Sequence, residues 1–390
     1  MFNEATCKQC GKCLSECPFL EMPEQRAKEE ISKMIKTRTS EQIIKNCAGC
    51  SYCNSICPTQ SNPSDLRKEI RLWKNRAEGV GSLLLINEQV PLNLMSIGLE
   101  LETQEKMENL KKYMNPPKSR EMFYLGCSLS YIYTDLTKTK LLRNLPLMGG
   151  MKYCCGGYLN SLFGQEEAKI WGEKLLAEFN KLGVEKLISF CPGCDRMLRD
   201  LYPKIVEGYN VENQSIIEYL VEKYHKGELK LKNKVKLRIT FHDPCPWRGL
   251  DRKIYDSPRE LLEILGAEVV EMNHNREKSL CCGAPVSFRN RELAEKIANM
   301  RVSEAEEVGA EALAFVCTGC VFALSKSATE RNIEAYYITE LAQMAIGEKP
   351  QHKIVEVTNQ AMALLTRKIV ENPSLLKDRY IIKDGEIHKI

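Results

Sequence analysis

Eighteen cysteines stand in 390 residues, and their spacing sorts them into four groups with none left over. Cys7, Cys10, Cys13 and Cys17 read C-x2-C-x2-C-x3-C and are followed by Pro18. Cys47, Cys50, Cys53 and Cys57 repeat that spacing before Pro58, forty residues on. Cys127, Cys154, Cys155, Cys191 and Cys194 make a set of five, and Cys245, Cys281, Cys282, Cys317 and Cys320 a second set in the same internal order. Thiolates are nucleophiles and soft metal ligands. Disulfide pairing fits badly, because Cys154–Cys155 and Cys281–Cys282 are adjacent, and Cα atoms about 3.8 Å apart fall short of the usual bridge span. MFNEATCKQC has no charged-then-apolar leader, so the expected setting is the reducing cytoplasm, where thiols serve metals or catalysis.

The two N-terminal runs match the ligand pattern of a two-cluster bacterial ferredoxin. Three thiolates on a tight loop grip three corners of a cubane, and the fourth, held off by the proline turn, reaches the other cluster. The expectation is one cubane [4Fe–4S] cluster on Cys7, Cys10, Cys13 and Cys57, and a second on Cys47, Cys50, Cys53 and Cys17. Zinc would need four-coordinate sites and would leave the prolines and the duplicated spacing unexplained. Five thiolates, by contrast, are too many for one zinc or one cubane. A spare donor from an adjacent pair suits an irregular core in which one thiolate bridges two irons. Gly156, Gly157 and Gly283 would let backbone approach the sulfurs. Spacing alone does not name that core.

These ligands need elements to carry them. Residues 21–46, between the two runs, have helical spacing (Ile31, Ile35) and many charges, predicting an inserted helical hairpin. SNPSDLRKEIRLWKNR predicts a helix capped by Ser64 or Asp65 and running to about Arg76. From 79 to 119 the pattern is irregular and reads as a surface linker. EMFYLGC and KLRITFHDPC predict buried strands ending at a cysteine, and KLISFCPGC and ALAFVCTGC predict strands entering C-x2-C at a helix start. Helices lie between them, so the ligands gather at the carboxyl edge of an α/β sheet. The fold class is therefore multidomain, α+β with α/β. A helical ferredoxin-like domain (1–78) and a linker (79–119) precede two pseudo-symmetric α/β domains (120–232 and 233–345) and an extension (346–390). In the extension VEVTNQAMALLTRKIVEN predicts a helix and RYIIKDGEIHKI a hairpin turning at Asp384-Gly385. That hairpin is read either as a docking element for a partner or as a strand completing the domain's own sheet.

Lys and Arg number 56 against 52 Asp and Glu, which gives no basic field for nucleic acid. No stretch approaches the length of an apolar membrane span, so membrane association would run through a partner subunit.

The two C-x(n)-CCG-x(n)-C-x2-C blocks resemble the CCG cysteine-rich domains of heterodisulfide reductases, and the fused layout resembles the D-type subunit. The resemblance implies a noncubane [4Fe–4S] cluster in each complete block, two in all, facing each other across the substrate and fed by the two cubanes. It implies reductive cleavage of a disulfide, each cluster supplying one electron and capturing one sulfur as thiolate. It also implies partner oxidoreductase subunits: a flavoprotein, a ferredoxin or a membrane cytochrome. The alternative is a non-catalytic relay within a flavin-containing complex, electron-bifurcating or hydroxyacid-oxidising.

Departures from the family pattern are local. Between Cys127 and Cys154 lie 26 residues, against 35 between Cys245 and Cys281, so the first domain is expected to lack about one helix turn or loop. In HDPCPWRG, Pro246 and Trp247 stand where the D-type branch often has His and Leu, placing Trp247 near the substrate entry. His242 is the candidate for proton delivery, or else bonds a cluster sulfur or caps the loop. Arg248 and Arg252 are candidates to pair with an anionic substrate group, or else idle surface charges. Asp243 is expected to orient the loop, and Trp73 and Trp171 to sit in the core.

Overall fold

The computed structural model describes residues 1–101, 103–383 and 385–390. Two four-stranded parallel sheets position the last ten of the eighteen cysteines. The first comprises β2 (Glu121–Gly126), β3 (Leu147–Gly149), β4 (Lys186–Ser189) and β5 (Glu212–Ser215) in the order β3-β2-β4-β5. The second comprises β6 (Arg238–Phe241), β7 (Glu268–Val269), β8 (Ala312–Phe315) and β9 (Glu334–Tyr337) in the order β7-β6-β8-β9. The two orders are the same, so the sequence repeat is also a repeat of topology. Met122 to Gly126 and Ala312 to Phe315 are buried throughout, as expected of strands covered by helices on both faces. Helices Gln165–Leu182 and Arg291–Glu307 make crossovers within the two sheets. The shorter first crossover is a larger change than a lost turn. The second domain places a twelve-residue helix, Lys253–Ile264, between its first cysteine and its pair. There the first domain has the short helix Ser128–Tyr131 and the 3-10 turns Thr134–Thr137, Lys140–Leu142 and Met151–Tyr153.

The N-terminal part is helical, with Glu24–Thr37 and Glu41–Asn46 filling the interval between the ferredoxin-type runs. The next helix begins before Ser64: it spans Pro63–Glu78 with Asn62 at its left-handed N-cap. Proline at the first helical position loses no hydrogen bond that the helix could have made. Trp73 on this helix is 63% exposed, contrary to its expected core position. Its helix spends the opposite face, with Leu66, Arg67 and Ile70, on the interior.

The 79–119 stretch is more ordered than its sequence predicted. It holds β1 (Val80–Gly81) and the helices Leu94–Leu101 and Gln104–Met114. Asn93 Oδ1 accepts from Met95 N at 2.7 Å and Ser96 N at 3.2 Å, and Thr103 Oγ1 accepts from Lys106 N at 3.4 Å; both are capping interactions. The C-terminal segment returns to this stretch. Helix Ile354–Glu371 buries Ala361 and Leu365 against Leu92 and Ile97. The hairpin of β10 (Arg379–Lys383) and β11 (Glu386–Lys389) pairs antiparallel with β1, Val80 opposite Tyr380. It thus joins neither parallel sheet. Of its expected turn, Asp384 lies outside the described residues, and Gly385 has φ 76°.

Candidate metal centres

Each ferredoxin-type run sends its last cysteine to the thiols of the other run: Cys57 acts on Cys7, and Cys17 is acted on by Cys50 and Cys47. Burial raises the Cys7 thiol, the Gln9 N–H opposes it, and the thiols that next act on it are Cys57 and Cys10. Burial pushes Cys13 up to about 11 against Arg67, with Cys7 and Cys10 as its thiol neighbours. Cys17 is raised by burial, and its thiol neighbours are Cys50 and Cys47. A small hollow is lined by Cys17, Cys47, Cys50 and Cys53 together with Arg67 and Arg71. Arg71 Nη1 donates to Cys47 Sγ at 3.1 Å and Gly49 N does so at 3.4 Å. Burial alone would raise Cys47; Arg71 and Arg67 hold it below the ordinary thiol value. Arg67 is buried, and the thiols of Cys53, Cys47, Cys17 and Cys13 all act on it. Arg67 and Arg71, four residues apart on one helix face, stand among these cysteines, a placement not anticipated from the sequence. A cationic i,i+4 pair directly after the second run was the available signal.

The five-cysteine sets form two continuous chains of sulfurs. Cys154 is in hydrogen-bonding reach of Cys127 and Cys155, and Cys194 of Cys155 and Cys191. In the second set Cys281 reaches Cys245 and Cys282, and Cys320 reaches Cys282 and Cys317. The middle member is Cys155 in one chain and Cys282 in the other. Hydrogen bonds from Cys154 and Cys194 hold Cys155 well below the ordinary thiol value, and bonds from Cys281 and Cys320 do the same for Cys282. The outer donors Cys154, Cys194, Cys281 and Cys320 are pushed well above it.

The glycines behave differently from one another. Gly156 (φ 67°) and Gly283 (φ 89°) are left-handed, and a Cβ there would lie 2.6 Å from Trp171 Cδ1 and 2.8 Å from the Ala294 carbonyl oxygen. Both are needed by backbone and packing rather than by sulfur approach, although Gly283 N does donate to Cys281 Sγ at 3.4 Å. At Gly157 a Cβ would make ordinary contact with Cys155 Sγ at 3.5 Å, whereas at Gly126, unmarked by the sequence reading, it would press Cys194 Sγ at 2.9 Å. Trp171 Nε1 donates to the Cys154 carbonyl at 2.6 Å and Tyr202 Oη to that of Cys155 at 2.6 Å.

His242 is 1% exposed and burial lowers its pKa. Its Nδ1 accepts from Arg301 Nε at 3.0 Å. One ring nitrogen lies within 4.8 Å of both Cys282 Sγ and Cys320 Sγ. Asp243 does hold its loop: Arg259 Nη1 and Nη2 donate to its two carboxylate oxygens at 2.5 and 2.7 Å, and Arg276 N donates at 2.7 Å. Arg248 gives its guanidinium to backbone, bonding the carbonyls of Glu277 (2.7 Å), Ser279 and Cys50. Three of its five N–H groups are thus taken up by backbone carbonyls. Arg252 lies at the surface beside Asp256 at 3.4 Å. Trp247 is 1% exposed and stacks on Phe241 at 6.1 Å. It is packed inside rather than standing at an entry.

Two junctions join the groups. The Cys50 and Cys281 thiols act on each other, so the second ferredoxin-type run lies beside the second five-cysteine block. Around this contact Arg289 bonds the carbonyls of Ile44 and Cys47 at 3.0 and 2.8 Å, and Asn290 Nδ2 bonds Asn46 Oδ1 at 2.9 Å. Between the two blocks Tyr337, 0% exposed, places its hydroxyl 2.5 Å from the Phe190 carbonyl and 2.9 Å from that of Val316. Those residues immediately precede Cys191 and Cys317.

Comparison with known proteins places the cysteine-rich CCG domain at residues 122–199 and again at 239–325. The chain is 26% identical to the EtfAB:quinone oxidoreductase of Syntrophomonas wolfei, over 69% of this chain and 40% of that protein. It is 24% identical to the D-type subunit of the dihydromethanophenazine:CoB–CoM heterodisulfide reductase of Methanosarcina barkeri, over 78% of each. With the probable iron-sulfur-binding oxidoreductase FadF of Bacillus subtilis it shares 24% identity over 87% of this chain and 46% of that one. The chain thus spans less than half the length of two of these relatives. Among described residues, no helix is long and apolar enough to cross a membrane.

Proposed function

Starting from a chain that carries two CCG domains and is similar to the D-type member of heterodisulfide reductases, we propose that it is the electron-transferring subunit of an iron–sulfur oxidoreductase that reductively cleaves a disulfide at its two five-cysteine sites. The observation that carries this reading is that the five thiols of each block act on one another in an unbroken series. The donor sets fit the clusters: two groups of four thiols suit cubanes, and each chain of five, which has one thiol more than a cubane takes and three inner sulfurs that each neighbour two others, suits a noncubane core with a shared ligand. Cys155 and Cys282, the middle members, are the proposed shared ligands. When bound, these groups supply one-electron transfer and, at the five-cysteine sites, capture of substrate sulfur.

The chain's own residues set the route. Arg67 and Arg71 offset the thiolate charge of the cubane sites. Cys50 and Cys281 bring one cubane site against the second block, and Arg248, Arg289 and Asn290 hold that junction closed. Cleaving a disulfide takes two electrons and two protons and yields two thiols, so electrons arrive singly and both blocks are needed. Partner subunits (a flavoprotein, ferredoxin or cytochrome) supply the electrons.

A second reading, a relay that passes electrons without cleaving a substrate, is favoured by one feature: buried Tyr337 and Trp247 fill space beside the two C-x2-C turns. EPR of the oxidised protein titrated with thiols separates the two. A signal that appears only with a thiol supports cleavage; full iron content without such a signal supports the relay.

A further inference from the structure

The two blocks are equal in sulfur but unequal in what faces it. In the first sheet Phe123 pairs with Ile188, and in the second Phe241 pairs with Ala314. Ile188 and Ala314 each stand three residues before the C-x2-C cysteine, Cys191 or Cys317, so Tyr124 and His242 occupy the same register position. Tyr124 gives its one O–H to the Tyr153 carbonyl. His242 stands beside Cys282 and Cys320.

Arg301 decides what that imidazole can do. Its Nε always carries hydrogen, and at 3.0 Å from Nδ1 it makes Nδ1 an acceptor. Arg301 cannot turn away easily: it is 0% exposed and its Nη1 is held by Glu304 at 2.5 Å and the His274 carbonyl at 2.7 Å. A neutral imidazole that accepts at Nδ1 bears its proton on Nε2. An Nε2 that bears hydrogen is a donor to sulfur and has no lone pair for iron.

We propose that His242 donates Nε2–H to Cys282 rather than ligating iron, that Arg301 is the positioning residue that fixes this tautomer, and that the bond sets the second five-cysteine site at the higher reduction potential. Hydrogen bonds to ligand sulfur stabilise the reduced, more negative cluster. Electrons entering through Cys50 and Cys281 would then collect at the second block first. The inference rests on the reading of the five-cysteine sets as cluster sites.

The test uses the full chain, purified anaerobically, with iron counted in every sample. Pulsed EPR of the wild type should find an exchangeable proton and a weakly coupled nitrogen at one five-cysteine site; the strong nitrogen coupling of a coordinated imidazole would overturn the proposal. In redox titrations, H242L should lower the higher of the two five-cysteine potentials, H242Q, which keeps an N–H donor, should restore part of the loss, and R301K should shift it in the direction of H242L. Unchanged potentials in H242L at full iron content would overturn the inference alone. Wild-type protein with iron for the cubanes only would overturn the cluster reading and the inference with it.

Discussion

Replacing Arg248 with alanine tests whether the junction between the ferredoxin-type region and the second block is held as described. The side chain bonds three backbone carbonyls, those of Cys50, Ser279 and Glu277, and its guanidinium lies 5.8 Å from the Tyr52 ring centroid. The Glu277 bond is exposed, so water replaces it at little cost. The Cys50 and Ser279 bonds are partly buried, and stranding each acceptor costs about 1–1.5 kcal/mol. The junction should therefore weaken by about 2–3 kcal/mol, which raises its open population by about 30- to 150-fold. Hydrogen exchange on holoprotein of matched iron content is the assay. Amides around residues 47–53 and 277–282 should exchange faster by that factor, while those of β2 and β4 in the first sheet stay unchanged. Unaltered exchange at both junction segments would refute the assignment of Arg248 to this contact.

Three further outcomes are expected. Arg71→Leu removes the 3.1 Å N–H···S bond to Cys47 and a nearby positive charge, so redox titration should find one cubane potential lowered and the other nearly unmoved. Tyr337→Phe keeps the ring but strips the hydroxyl shared by the Phe190 and Val316 carbonyls; chemical denaturation should show a loss of about 1–2 kcal/mol without cavity formation. His352 lies 3.3 Å from Glu334 and 3.4 Å from Glu340, and Glu340 first, then Glu334, holds its pKa above the ordinary value against burial. A raised histidine adds stability that is full below the unfolded value and fades as pH rises through the folded one. The thermal midpoint of the wild type should therefore fall relative to His352→Gln on going from acid to neutral and alkaline pH; parallel curves would contradict this pairing.

What the sequence made legible was local. Ligand spacing is covalent, so the four groups of cysteines could be read directly, and Cys127, Cys191 and Cys317 duly stand at strand ends because buried apolar runs announce parallel strands. The helix of 354–371 and the hairpin after it were legible for the same reason. Long-range choices were not. Arg248 and Arg289 meet carbonyls some two hundred residues away, and no local pattern separates such arginines from solvated ones. Trp73 and Trp247 exchanged their expected settings, because hydrophobicity alone does not tell which helix face or loop side turns inward. The 79–119 stretch was misread as irregular because its helices are short and its caps, Asn93 and Thr103, read equally well as loop residues. Tyr337 was invisible, since its role arises only where two repeats meet.

The most direct test of the central claim is a count of iron and acid-labile sulfide per chain on anaerobically purified protein. Four clusters predict about sixteen of each. About eight of each, with zinc present, would contradict the assignment of the two five-cysteine sets to iron–sulfur clusters.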